Sequence, residues 1–318
     1  MLTYKSVKVV GRGAVVGVLE RWRPHSASGD ILCPNSLCAV GTRARAAAAA
    51  VCRSCRQAIP VADGASFARR AVAFIGSARC GQTSSLIRSF DEITKRADRY
   101  RFAVAGQEKQ WDDQLRGLTL GKPVPATPAL PGVAWCLDFV LGGACRRLYV
   151  YDIAAQEASD VRRLTRHRSL ARLSGLALVL DPFGLAAVRE RYGHAIRDLR
   201  PPVSPTPQSF GEAELAVVMQ SLAACRPSPR GGVWNLSVAV VVTKLDVLGL
   251  GRRLGSETAS PEDIHRACRN QAAEWGFENM IRALDAHFRR VRFFGAWPGS
   301  RGAFAQGNAL LWMYDEAA

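Results

Sequence analysis

The sequence contains no apolar run near the length of about 20 residues that a membrane-spanning helix requires. Its N-terminal stretch is interrupted by Gly11, Arg12 and Gly13, and it lacks the small-residue cleavage site of a secretory signal peptide. These absences predict a cytoplasmic protein without a transmembrane segment. In the cytoplasm, a disulfide framework is an unexpected use for its nine cysteines.

Lysine is also scarce, since it supplies only six of the 43 basic residues, and acidic residues number only 27. The formal net charge of +16 favours attraction to nucleic acid, acidic membrane or polyphosphate. The basic residues are nevertheless spread along the chain, and no recognition cluster combines them with aromatic residues. The densest basic run, residues 162–172, predicts a solvated or partner-facing surface rather than a nucleic-acid groove. Nucleic acid is therefore the less favoured partner.

Four cysteines fall within residues 33–55, with the spacing C-x4-C, thirteen residues, then C-x2-C. Two such pairs on short turns can bring four thiolates around a tetrahedral zinc ion. So short a segment has little core of its own, so metal binding has to stabilise it. A closed four-ligand site predicts structural rather than catalytic zinc, with the ligands Cys33, Cys38, Cys52 and Cys55. The remaining cysteines are expected to pack as small apolar side chains.

From about residue 70, apolar strands alternate with helical segments. Strands are predicted at 71–76, 133–141, 147–153, 176–182, 236–246 and 291–297, and helices at 82–97, 156–173, 185–199, 211–225 and 261–289. This pattern predicts an α/β fold, with three layers and a mostly parallel sheet covered by helices on both faces. We expect two units, a β hairpin and zinc ribbon over residues 1–65 and the α/β domain over 70–318.

Ligands of such a fold bind at the carboxyl ends of its strands, where polar stretches occur in this sequence. Residues 76–83 have the spacing of a phosphate-binding P-loop, with Gly76, Gly81 and Thr83, but Gln82 stands in the place of lysine. The glycines let backbone N–H groups and the following helix face an anion, and Thr83 can bind magnesium. Asp152 ends an apolar strand, which is costly unless its carboxylate holds a metal or donors, and it is the second candidate magnesium ligand.

Two further strands end in Thr243-Lys244-Leu245-Asp246 and in a glycine-rich turn that begins at Ala296. In order, spacing and strand context, the four stretches resemble the motifs of a Ras-like GTPase of the translation-factor-related class. More closely, residues 70–315 resemble the bacterial double-GTPase families predicted from gene neighbourhoods of conflict systems, in which N-terminal cysteine ribbons also occur. The resemblance implies a P-loop GTPase-like fold that binds GTP or GDP with magnesium.

Individual roles follow from this resemblance only. It implies that Asp246 accepts hydrogen bonds from guanine while the side chain of Lys244 lies along the base. Asp152 to Gln156 resemble the switch II motif, with Ala155 in the place of glycine, so Gln156 is the candidate catalytic residue. Thr127 lies at a switch I position. The candidate nucleotide-binding residues are Gly76, Arg79, Gly81, Gln82, Thr83, Ser84, Thr127, Thr243, Lys244, Asp246 and Ala296.

Replacement of the loop lysine removes the charge that spans the β- and γ-phosphates, a loss of about 2–4 kcal/mol in binding or transition-state stabilisation. Arg79 is the candidate replacement charge. The sequence therefore predicts a guanine-nucleotide-binding switch or scaffold with weak or absent GTP hydrolysis. Its expected setting is a bacterial defence system, beside a protein partner such as a second GTPase. Two alternatives stay open, a GTPase-like scaffold that binds no nucleotide and a zinc-ribbon nucleic-acid-binding protein.

Overall fold

The structure is a computed structural model that describes residues 30–39, 41–43, 51–52, 54–59, 68–122, 124, 132–197, 210–227, 230–245, 248, 260–296 and 307–316. Two short strands, β1 (Asp30–Leu32) and β2 (Gly41–Arg43), pair antiparallel next to the first cysteines. The predicted hairpin that precedes residue 30 lies outside the described residues.

Seven strands form the main sheet, in the order β4-β5-β6-β3-β7-β8-β9. They are β3 (Ala68–Gly76), β4 (Arg99–Phe102), β5 (Trp135–Leu141), β6 (Ala144–Asp152), β7 (Gly175–Leu180), β8 (Trp234–Val242) and β9 (Phe288–Gly295). Strands β6, β3, β7, β8 and β9 run parallel, whereas β5 is antiparallel to β6 and β4 to β5. The predicted mostly parallel sheet is confirmed.

Helices cover both faces of this sheet, as predicted. They are α1 (Gln82–Arg96), α2 (Gln107–Thr119), α3 (Ala155–Ala158), α4 (Val161–Leu164), α5 (Ala186–Arg197), α6 (Glu212–Cys225), α7 (Pro261–Ala272), α8 (Glu278–His287) and α9 (Gly307–Glu316). Successive side chains of β3 point to opposite faces. Ala73 and Ile75 enter a core shared with α6, α7 and α8, whereas Val72 and Phe74 enter one shared with α1, α2 and α9. No helix of the described residues is long and apolar enough to span a bilayer.

Two predicted helices are wrong as single elements. The segment 156–173 forms two separate turns, α3 and α4, followed by a 3-10 turn at Arg168–Arg172. The break lies at Asp160, whose extended backbone leaves the helix and whose carboxylate caps α4 by accepting from the Arg163 N–H. The segment 261–289 is interrupted at Gly276, which has a φ of +100° within a π turn. The strand β4 and the helices α2 and α9 are not among the predicted elements.

The chain reverses its direction across the sheet at β3. After β3 it forms β4, β5 and β6 on one side, and it then crosses to β7 on the other side. The carboxyl end of β3 is therefore the topological switch point, where ligands of open α/β sheets bind. The end of β6 lies at the same edge, and so does the start of β5, because β5 runs antiparallel to β6.

Candidate functional site

The loop from β3 to α1 is shaped by its two glycines. A Cβ atom on Gly76 would lie 2.5 Å from the sulfur of Cys80 and 3.0 Å from the carbonyl oxygen of Val179, so the loop has no room for a side chain there. Gly81 has a φ of +89°, a left-handed conformation that favours glycine, and it is the N-cap of α1. Cys80 is fully buried, and burial raises the pKa of its thiol to about 12, as expected of a cysteine that packs as a small apolar side chain.

The amino end of α1 has the character of an anion site. No side chain of the described residues caps this helix, and its first turn contains no acidic residue. The first N–H groups of a helix have no partner within it, and they carry the positive end of its dipole. Thr83 and Ser84 are half-buried in that first turn. Arg79 is exposed in the loop, with a left-handed φ of 62°.

Gln82 is buried and bonded to the protein itself. Its amide nitrogen lies 3.1 Å from the carbonyl oxygen of Phe74, 2.8 Å from that of Ile153, and 2.5 Å from Oδ1 of Asp152. An amide nitrogen carries two hydrogens, so three acceptors already exceed its capacity as a donor. Gln82 thus joins the ends of β3 and β6, and its amide hydrogens are used within the protein.

The two candidate magnesium ligands lie together. The hydroxyl of Thr83 donates to Oδ2 of Asp152 at 3.0 Å, while Oδ1 of the same carboxylate accepts from Gln82. Hydroxyl and carboxylate oxygens suit Mg²⁺, which takes few protein ligands and completes its shell with water and phosphate. The donor types therefore fit magnesium. Gln156 is exposed in α3, and its backbone carbonyl accepts from Ser159 and Arg163.

Thr243 ties this loop to the neighbouring strands. Its hydroxyl oxygen lies 2.8 Å from the carbonyl oxygen of Cys80 and 3.2 Å from that of Leu180. The two carbonyl oxygens therefore share the single hydroxyl hydrogen of Thr243. Lys244 has a left-handed φ of 59°, and its ammonium lies 2.5 Å from the carboxylate of Asp181. Asp181 is not among the predicted site residues, although its signal is close to that of Asp152, because Asp181 follows the apolar strand β7 and Asp152 ends the apolar strand β6.

Three other predicted site residues have different outcomes. Thr127 and Asp246 lie outside the described residues. Ala296 is buried after β9, where its N–H donates to the carbonyl oxygen of Val242 at 2.7 Å. That bond holds the ends of β8 and β9 together at the same edge of the sheet.

The four N-terminal cysteines form one cluster. The sulfur atoms of Cys33 and Cys55 lie 3.4 Å apart, those of Cys38 and Cys52 lie 3.6 Å apart, and all four fall within 4.8 Å of one another. A disulfide requires about 2.05 Å. Zn–S bonds of about 2.3 Å in a tetrahedron place the sulfur atoms about 3.8 Å apart. The predicted clustering is confirmed, and the four thiols can hold a metal ion such as zinc.

The protein environment distinguishes these thiols. Burial raises the pKa of Cys33. Burial also opposes ionisation of Cys52, but backbone hydrogen bonds from Cys55 and Ser54, together with the neighbouring thiols, outweigh it and lower the pKa of Cys52 to about 7. A cysteine must be deprotonated to bind metal, so the lowered pKa of Cys52 favours metal binding by this thiol.

Comparisons with known proteins do not assign either site. No protein-family model matches the chain, and no curated protein matches it. The geometry places a helix terminus that no described side chain caps next to paired oxygen ligands, and it gathers four sulfur ligands at a second place.

Proposed function

We propose that the protein is a guanine-nucleotide-binding switch or scaffold with weak or absent GTP hydrolysis and a structural zinc ion. The observation that carries this proposal is the loop of residues 76–83 at the topological switch point. Its uncapped helix terminus lies beside the Thr83–Asp152 pair, and Thr243 attaches it to the strand that leads to Lys244. The proposed setting is the bacterial cytoplasm, in a defence system beside a protein partner such as a second GTPase.

Each part of the proposed site has a separate task. The first N–H groups of α1 bind phosphate, and Thr83 and Asp152 hold magnesium, which neutralises phosphate charge. Asp246 and Lys244 recognise guanine, and Asp181 holds the Lys244 ammonium at the edge of the sheet. Gly76 and Gly81 give the loop its shape. The protein partner and the defence setting rest on the sequence resemblance alone.

Weak hydrolysis follows from the contacts of Gln82. Its amide is neutral and is used by Phe74, Ile153 and Asp152. A charged donor stabilises the charge that develops during phosphoryl transfer, and charge-assisted hydrogen bonds are roughly twice as strong as neutral ones. The side chains of Arg79 and Gln156 are both exposed. The hydrogen bonds from Ser159 and Arg163 to Gln156 use its backbone carbonyl oxygen. The site is therefore better suited to binding than to catalysis.

A nucleotide-free scaffold is the second candidate function. It is favoured by the way the polar groups satisfy one another, because Asp152 accepts from both Gln82 and Thr83 and Lys244 is paired with Asp181. A ligand that enters must compete with these contacts. In this alternative the loop serves only to connect β3 with α1, and Asp246 has no ligand.

Titration with fluorescent GDP and GTP separates the two candidates. With magnesium we expect saturable binding that ATP does not displace and that weakens with EDTA. Asp246→Ala should weaken binding about tenfold or more, because the charged acceptor for guanine is lost, whereas Asp112→Ala on the exposed face of α2 should leave it unchanged. No saturation up to about 1 mM nucleotide would rule out the switch and favour the scaffold.

A further inference from the structure

The first cysteine turn is packed against the main sheet. The carbonyl oxygen of Pro34 accepts from the N–H of Ala134 at 2.7 Å, and the N–H of Ser36 donates to the carbonyl oxygen of Gly132 at 2.9 Å. Between these bonds, Asn35 and Val133 form an antiparallel bridge. The turn between Cys33 and Cys38 therefore pairs with the chain segment that leads into β5.

The same turn also binds the segment that follows β6. The carbonyl oxygen of Ser36 accepts from the N–H of Ser169, and its hydroxyl lies beside Nδ1 of His167, each at 3.0 Å. The other ring nitrogen of His167 lies 3.5 Å from a carboxylate oxygen of Glu157. Ser36, His167 and Glu157 are all at least nine-tenths buried. In addition, the hydroxyl of Tyr151 donates to the carbonyl oxygen of Cys33 at 3.4 Å.

These contacts lie next to the candidate nucleotide site. Tyr151 directly precedes Asp152, and Glu157 directly follows Gln156. Gly132 is five residues after Thr127. Both segments that carry the predicted switch residues therefore lead into residues bonded to the turn at 33–36. Buried polar groups are costly without hydrogen-bond partners. Movement of Ser36 away from either segment would therefore leave buried polar groups without their partners.

We propose that the four-cysteine site is an internal clamp, which means that it holds segments of the α/β domain of the same chain in place. Metal bound by the four cysteines sets the shape of the turn at residues 33–38, and that turn holds Gly132–Ala134 and the His167–Ser169 turn in place. Release of metal frees both segments together. The inference rests on the proposed zinc site, but it does not depend on nucleotide binding.

Hydrogen exchange measured by mass spectrometry tests the clamp on the full-length protein. The reporters are peptides that contain Ala134 and Ser169, since the N–H groups of both residues donate to carbonyl oxygens of the turn. Removal of zinc by a chelator should accelerate exchange in both peptides by about tenfold or more, and added zinc should restore it. Peptides from α7 and α8, which cover the far part of the sheet, should keep their protection.

A substitution tests the neighbouring side-chain contact of the turn without metal removal. Ser36→Ala deletes the hydroxyl beside His167 and leaves the cysteines intact, so zinc content should not change while the Ser169 peptide exchanges faster. Ser89→Ala is the matched control, because this buried serine bonds within its own helix, α1. The clamp is overturned if zinc removal deprotects only residues 30–59, if it deprotects the whole domain equally, or if Ser36→Ala behaves like Ser89→Ala. A chain that binds no zinc overturns the metal proposal separately.

Discussion

At the residue scale, one buried amide holds three parts of the candidate site together. Gln82 contacts two strand-end carbonyls and the Asp152 carboxylate. Gln82→Met keeps the approximate length of the side chain but removes the donors, so buried acceptors lose their partner. We expect the free energy of unfolding to fall by about 1.5–3 kcal/mol, measured by urea denaturation.

The control for this substitution is Gln110→Met on the exposed face of α2, which should change stability by less than about 0.5 kcal/mol. Equal effects of the two substitutions would show that the Gln82 contacts add nothing to the fold. Gln82→Lys should retain part of the stability, since its ammonium can reach the Asp152 carboxylate. In the switch proposal, Gln82→Lys should also strengthen binding of GTP with magnesium.

At the scale of elements, a charged ladder joins three strands far from the loop. Arg101, Asp138 and Arg147 are register partners across β4, β5 and β6. Arg147 binds the Asp138 carboxylate through two nitrogens at 2.5 and 2.7 Å, with both side chains fully buried, and Arg101 binds it at 3.1 Å. Burial alone would lower the pKa of Arg147, but the hydrogen bonds and charge of Asp138 outweigh it and raise the pKa.

Asp138→Asn leaves the Arg147 guanidinium buried without its counter-charge. Breaking one partner of a buried pair costs about 3–5 kcal/mol, so we expect a loss of that size in urea denaturation. Asp113→Asn is the matched control, because Asp113 pairs with Lys109 on the exposed surface of α2. Exposed pairs contribute little, so the control should lie within about 0.5 kcal/mol of wild type. Similar losses in both variants would contradict the assigned role of the buried pair.

The last strand of the sheet carries a pH-sensitive attachment. Nδ1 of His265 on α7 accepts from the N–H of Phe293 on β9 at 2.9 Å. Burial lowers the pKa of His265 from 6.5; Arg269 and Arg292 lower it further, while Glu262 and Asp285 oppose them. Below pH 6.5 the unfolded chain therefore binds a proton that the folded protein resists, and stability should fall as the pH drops below about 6.5.

His265→Gln offers an acceptor oxygen but does not titrate. Its urea-derived stability should fall less steeply than that of wild type over this range, with a difference of at most about 1.4 kcal/mol per pH unit. Above about pH 7.5 the two proteins should differ by a constant amount. Burial also lowers the pKa of His167, so His167 contributes to the slope that remains in the variant. Parallel pH profiles throughout would refute the assignment to His265.

At the scale of the whole molecule, the layers were predictable but the polar connections were not. Long apolar strands such as β7 and β8 are evident from composition, and their burial explains the sheet. The short strand β4, Arg-Tyr-Arg-Phe, has no apolar run to reveal it. The loop of residues 76–83 was identified from its glycine spacing. The contact of Ser36 with His167, 131 residues apart, depends on tertiary packing that no local pattern encodes.

Metal content is the whole-molecule property that the cysteine cluster predicts most directly. Purified protein should contain one zinc ion per chain, measured by plasma mass spectrometry, since four sulfur ligands complete a tetrahedron. Cys38→Ser should lose the metal and lower the melting temperature by at least about 4 °C, because the turn also supports the sheet. Cys225→Ser, at a half-buried cysteine outside the cluster, should keep both metal and stability near wild type. If both variants retain zinc, the cluster is not its site, and if both lose equal stability, the thiols act only through packing.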